Sequence, residues 1–170
     1  MRNYVKAIFY AYPFLKTMDK EYDEHLKNRA VLSYRTDFSA ERIALYIAGE
    51  IVEKQTLQWV KETVESVLQT LDCYERTFVE IRYFGKRRKI RRERLAGGAG
   101  AFSERSYFRK QSKLVDKLGS MLAQKGLDKP FFEQNLLPIE LFEKAYQYVC
   151  KGRDLHVRKN EREWIAFREF

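Results

Sequence analysis

Apolar residues recur at three- and four-residue intervals along most of the chain, and that spacing predicts helices. Over residues 3–31, Val5, Ile8, Phe9, Tyr12, Leu15 and Met18 form one apolar stripe, with Pro13 predicting a break or kink. Residues 20–27 are more polar, 33–37 read as a connection, and Ser39 reads as the cap of a second helix with Glu41 and Arg42 in its first turn. That helix, about 40–70, has the strongest periodicity in the chain. Ile43, Ile47, Ile51, Leu57, Val60, Val64, Val67 and Leu71 keep near-heptad spacing, interrupted by Lys54, and Leu45 and Tyr46 widen the face. Two long amphipathic helices joined by a short connection predict either an antiparallel hairpin or the seam of a homodimeric coiled coil.

The centre of the chain changes character. Residues 71–84, LDCYERTFVEIRYF, open on Asp72 with Glu75 three positions on, a capping-box pattern, and Leu71, Phe78, Ile81 and Tyr74 are the candidates for its buried face. Residues 85–94, GKRRKIRRER, hold seven bases and one acid. The glycines of LAGGAGAF, residues 95–102, then weaken any helix, each by about 1 kcal/mol relative to alanine. Ser103 reads as the cap of a further amphipathic helix, SERSYFRKQSKLVDKLGSML. Its apolar face holds Tyr107, Leu114, Val115, Leu118, Met121 and Leu122, and its outer face Glu104, Arg105, Phe108, Arg109 and Ser112. Gly126 and Pro130 punctuate its end. Pro138 suits the first turn of a last helix, about 139–150, with Leu141, Phe142, Ala145 and Val149 inward and Gly152 as its stop. The tail 153–170 reads as a short helix or a strand.

With few glycines and prolines and long unbroken helical periods, the fold class expected is all-α. A long N-terminal helical hairpin (1–70) leads into a helix-turn-helix module (71–125) and a C-terminal helical extension (126–170). Charge sharpens this picture. The formal net charge is +9, yet Arg82 to Lys113 alone carries twelve Lys/Arg against two acids, so the rest of the chain sums to −1. So local a positive field suits a polyanion, since each neutralised phosphate releases a condensed counterion; a solvated face, an acidic protein or a membrane surface are the other partners it fits.

The helix after Ser103 has the chemistry a major-groove reader needs. A buried stripe seats it, and hydrogen-bonding side chains near its N-terminus face outward; an arginine fork meets guanine O6 and N7 together. In order and spacing, LDCYERTFVEIRYF followed by SERSYFRKQSKLVDKL resembles region four of bacterial sigma factors, and more closely the sigma-region-four-like phage and prophage regulators of the ArpU kind. Glu75, Arg76, Arg82, Tyr83 and Phe84 match the first element; Ser103, Arg105, Ser106, Tyr107, Phe108 and Arg109 match the second, and residues 114–118 its apolar tail. The resemblance implies that Glu104, Arg105, Phe108, Arg109 and Ser112 face the bases. It implies that Ser103, Lys86, Arg87, Arg88, Lys89, Arg91, Arg92, Lys110 and Lys113 meet the DNA backbone. It further implies double-stranded DNA as partner, RNA polymerase as a second one, a phage or mobile-element origin and a cytoplasmic setting. One departure stands out: RRERLAGGAGAF is longer and richer in glycine than the family's scaffold helix. Either residues 90–96 form that helix before a long turn, or the module has decayed.

Little points to catalysis, a metal or a cofactor. Cys73 and Cys150 lie far apart and form no CxxC pair, and His25 and His156 are isolated. The glycine-rich stretch lacks the Gly-Lys-Ser/Thr ending of a phosphate loop, and no carboxylate pair or nucleophile-base arrangement stands out. The apolar run 7–15 is interrupted by Pro13 and is too short to span a membrane, so neither an enzyme nor a membrane protein is expected.

Overall fold

The computed structural model of the chain describes residues 2–32, 40–84 and 104–151; within these, side chains at 16, 19–21, 25–32, 40 and 104–108 are not described. Every regular element among the described residues is helical, so the class is all-α: α1 (Asn3–Leu32), α2 (Ala40–Gln69), α3 (Cys73–Tyr83), α4 (Glu104–Gln124), α5 (Lys129–Phe131, continued by a π-helical turn Phe132–Leu136) and α6 (Glu140–Cys150).

At the centre runs α1. Its stripe residues Val5, Ile8, Phe9, Tyr12 and Leu15 are buried as expected, but Lys6, Ala7, Tyr10 and Ala11 are buried too, so its first half is enclosed on every side. A helix covered all round must be apolar all round, and residues 4–15 satisfy this apart from Lys6. The helix continues through Pro13 without ending there. The lost N–H costs about 3 kcal/mol in an isolated helix interior, but burial of Phe9, Tyr10, Ala11, Tyr12 and Leu15 on both sides of the proline holds the backbone in place.

Against α1 lies α2, running antiparallel. Tyr12 donates its hydroxyl to Glu65 at 3.1 Å, while further along α1 Tyr22 donates to Glu53 and Asp23 accepts from Lys54. This is the hairpin alternative, and it consumes the near-heptad stripe: Leu57, Val60, Val64, Val67 and Leu71 all enter the core. The stripe's N-terminal half is different. Ile43 and Ile47 are half-buried, Ile51 is exposed, and Leu45 and Tyr46 lie outward and widen no buried face.

The remaining helices close the core around α1. The Gln124 end of α4 finishes in a Schellman turn: Gly126 sits at φ +86°, Leu127 N–H reaches the Leu122 carbonyl at 2.9 Å, and Gly126 N–H reaches Ala123 at 3.0 Å. Leu122 and Leu127, the pair such a turn brings together, are both fully buried. Asp128 then caps α5 by accepting from Phe131 N–H at 2.9 Å. The π turn carries Phe132 and Leu136 inward, with the Phe132 ring set against Tyr4, Phe142 and Tyr146. Pro138 lies one residue before the cap of α6, not in its first turn; the cap is Ile139, which has no side-chain hydrogen bond to give. Phe142, Ala145 and Val149 press α6 onto α1, and Leu141 is half-buried. The segment that reads as a C-terminal extension thus supplies a wall of the same core as the N-terminal hairpin.

Candidate nucleic-acid interface

The first element of the basic centre is held by its cap and its aromatic end. Asp72 Oδ1 accepts from Glu75 N–H at 2.7 Å, which satisfies one orphan donor of α3. The Glu75 carboxylate does not complete a reciprocal box; both its oxygens accept from Lys117 Nζ of α4, at 2.8 and 2.7 Å. The buried face of α3 departs from expectation. Leu71 and Phe78 are buried, but Ile81 is only half-buried and Tyr74 is 45% exposed, while Val79 and Tyr83 take the inner positions. Tyr83 lies with its ring centroid 5.9 Å from Phe9 and 5.0 Å from Tyr10, and Phe84 stacks 5.0 Å from Tyr12. The Tyr-Phe pair that carries the family resemblance is therefore an anchor to α1.

On α4 the buried stripe is Gln111, Leu114, Val115, Leu118 and Leu122. Gly119 lets α1 approach closely: a Cβ there would lie 2.5 Å from Arg2 Cδ and 3.0 Å from Val5 Cγ2. Arg2 crosses over that glycine to donate to the Asp116 carbonyl at 2.9 Å and to Ser120 at 3.1 Å. Gln111 was not singled out from sequence, although its spacing to Leu114, Val115 and Leu118 is the signal that places it inward. Its Nε2 is buried and has no hydrogen-bond partner among the described residues.

The predicted contact residues divide as follows. Arg109, Lys110, Ser112 and Lys113 are exposed on α4. Lys110 sits 5.6 Å from the Tyr74 ring centroid, a cation–π distance that ties it to α3. Glu104, Arg105 and Phe108 belong to the first turns of α4, where the backbone alone is described. In the helix register, positions 104 and 108 fall in line with the buried 111 and 115, whereas 105 shares a sector with the exposed 109 and 112. Lys86, Arg87, Arg88, Lys89, Arg91, Arg92 and Ser103 lie outside the described residues, as do the candidate scaffold helix 90–96, the glycines at 97–100, the cap at Ser39 and the tail 153–170.

Among the described residues, the hydroxyls whose titration is shifted belong to α1 and α6. Burial, with Glu65 nearby, pushes the Tyr12 hydroxyl up to about 12, and burial with the Glu53 hydrogen bond raises Tyr22 further. Burial raises Tyr4, and a hydrogen bond with Cys150 leads the rise at Tyr146. These groups stand on α1 and α6, in packing contacts. A hollow lined by Leu15, Tyr22, Lys54, Leu57, Gln58 and Lys61 has room for about one water molecule. Among the described residues no three His, Cys, Asp or Glu side chains are grouped to hold a metal, and no helix is long and apolar enough to cross a membrane. No protein-family model, curated protein or solved structure matches the chain.

Proposed function

We propose that this protein is a cytoplasmic transcriptional regulator of phage or mobile-element origin that binds double-stranded DNA with α4 in the major groove. The observation that carries the reading is a coincidence of two features. The chain's basic excess lies between Arg82 and Lys113, and the helix at its C-terminal end shows solvent a basic face, Arg109, Lys110 and Lys113, while a buried stripe seats it on the core. On this reading Arg105, Arg109 and Ser112, which share one sector of the α4 register, face the bases. Lys113 and the run from Lys86 to Arg92 supply phosphate contacts, which position the protein without reading sequence. The Lys117–Glu75 pair and the Lys110–Tyr74 contact set the angle of α4 against α3.

Gel shifts on promoter fragments from the protein's own locus test this. Arg105→Ala and Arg109→Ala are expected to weaken the shift on those fragments more than on random duplex. If both variants shift every duplex as the wild type does, α4 is not the reading helix. Contact with RNA polymerase rests on the sequence resemblance alone, and a pull-down with core polymerase in the absence of DNA separates it from DNA reading.

A further inference from the structure

Three lysines of α4 fall in one row. Lys110, Lys113 and Lys117 stand at i, i+3 and i+7, on the flank where α4 meets α3. The two outer members mark that contact: the Lys117 ammonium donates to both Glu75 oxygens at 2.8 and 2.7 Å, and Lys110 Nζ lies 5.6 Å from the Tyr74 ring centroid. Lys113 stands between them, exposed and without an ion pair among the described residues. The acids beside the row are engaged. Glu75 is taken by Lys117, Asp72 Oδ1 accepts from the Glu75 N–H at 2.7 Å, and Asp116 faces Arg2 Nε at 3.7 Å. The seam thus carries excess positive charge beside Tyr74, a large ring left 45% exposed.

We propose that Tyr74 is a positioning residue for one backbone phosphate of DNA, which Lys110 and Lys113 hold together at the edge of the reading face of α4. The inference rests on the DNA-binding reading above. Lys113 follows Arg109 by four positions and so adjoins it on the helix surface; a phosphate held at this edge flanks the bases that Arg109 faces. A lysine ammonium rides on a flexible four-carbon stem, and ordering that stem on binding costs affinity. The face of the Tyr74 ring attracts the ammonium through its quadrupole and keeps Lys110 in place before DNA arrives. The ring carries no formal charge, so the cation keeps its own for the phosphate. A carboxylate in that position, as Glu75 is for Lys117, would cancel it. Tyr74 itself touches no DNA and acts through Lys110.

Titrating the full chain with duplexes from its own locus and with scrambled duplexes, at several salt concentrations, tests this. Tyr74→Leu removes the ring at an exposed site and is expected to keep the helical circular dichroism. An exposed cation–π contact is worth about two- to fivefold in population, and affinity for every duplex is expected to fall by about that factor. The salt slope is expected to stay, because Lys110 still meets the phosphate once bound. Lys110→Met is expected to weaken every duplex as well and to flatten the slope by about one counterion. Tyr74→Phe, which keeps the ring, is expected to bind as the wild type does, and Tyr74→Leu to add nothing in the Lys110→Met background. Wild-type affinity in Tyr74→Leu overturns the proposal and leaves DNA reading by α4 intact. So does a loss in Tyr74→Phe equal to that in Tyr74→Leu, or additive losses in the double variant, since either means that the tyrosine meets the nucleic acid itself. A wild type that binds no duplex at low salt overturns the DNA-binding reading and this proposal with it.

Discussion

Replacing Tyr83 by alanine removes a ring that is 1% exposed and wedged between Phe9 and Tyr10 of the central helix. A buried tyrosine takes about 150–250 Å² out of water, which at about 25 cal/mol per Å² is an upper bound of roughly 4–6 kcal/mol. Mutational series on buried aromatics place the measured loss at about 3–5 kcal/mol, cavity included. Against a total stability of about 5–15 kcal/mol this is a large fraction. At about 2–4 °C per kcal/mol for a chain of this size, the midpoint of thermal unfolding drops by about 6–20 °C. Urea unfolding followed by circular dichroism at constant m-value gives the free energy directly. Tyr74→Ala, on the exposed side of the same helix, is the internal control, with an expected loss under about 1 kcal/mol. Should Tyr83→Ala cost no more than Tyr74→Ala, the inner face of α3 has been assigned wrongly. The resemblance residues Tyr83 and Phe84 would then be free to act at the surface.

Three other perturbations probe the same framework. Gly119→Leu forces a side chain into the space held by Arg2 and Val5 and is expected to destabilise by about 1–3 kcal/mol in urea, whereas wild-type stability would mean α1 and α4 are not in close contact. The Glu75–Lys117 pair is partly exposed, so a double-mutant cycle with alanine is expected to give a coupling of only about 0.2–1 kcal/mol, shrinking with added salt; zero coupling at low salt removes the link between α3 and α4. The Tyr12 hydroxyl is held up to about 12 in the folded chain against 10.0 ordinarily. The unfolded chain therefore releases that proton first, and the stability it contributes is complete below about pH 10 and lost as pH rises toward 12. Tyr12→Phe is expected to cost about 0.5–3 kcal/mol at pH 8 through the lost hydrogen bond to Glu65. Its deficit relative to wild type is expected to shrink between pH 10 and 12, and a deficit constant across that range contradicts the assignment.

Much of the fold was legible because local chemistry set it. The bounds of α1 and α2 follow from periodicity, Asp72 from its capping offset, and the Gly126 stop from the need for a left-handed residue after a helix. What sequence could not assign was the use of each face. Val5 to Tyr12 read as one stripe because a period of 3.6 emphasises the strongest residues. The enclosure of Lys6, Tyr10 and Ala11 depends on α6, which arrives from the far end of the chain. The α2 stripe was legible as apolar, but its C-terminal half enters the core whereas Ile43 and Ile47 are half-buried and Ile51 is exposed. In α3 a short helix offers two candidate faces differing by one position, and the aromatic rings of α1 select Tyr83 over Ile81. At the candidate interface the exposure of Arg109 and Ser112 on α4 was legible from periodicity, while the basic run lies outside the described residues. The register that separates positions 104 and 108 from 105, 109 and 112 emerged only once Gln111 was seen to point inward.

The most direct measurement on the central proposal is an anisotropy titration of the full chain with duplexes from its own locus and with scrambled duplexes, across a range of salt. Binding through the basic centre predicts a steep fall of affinity with salt for both, from phosphate contacts, and a preference for one native duplex of about a thousandfold or more. Arg109→Ala is expected to narrow that preference by about 5- to 150-fold while leaving most of the scrambled-duplex affinity in place. Equal affinity for all duplexes, unchanged by Arg109→Ala, would contradict sequence reading by α4, and no measurable binding at low salt would contradict DNA binding altogether.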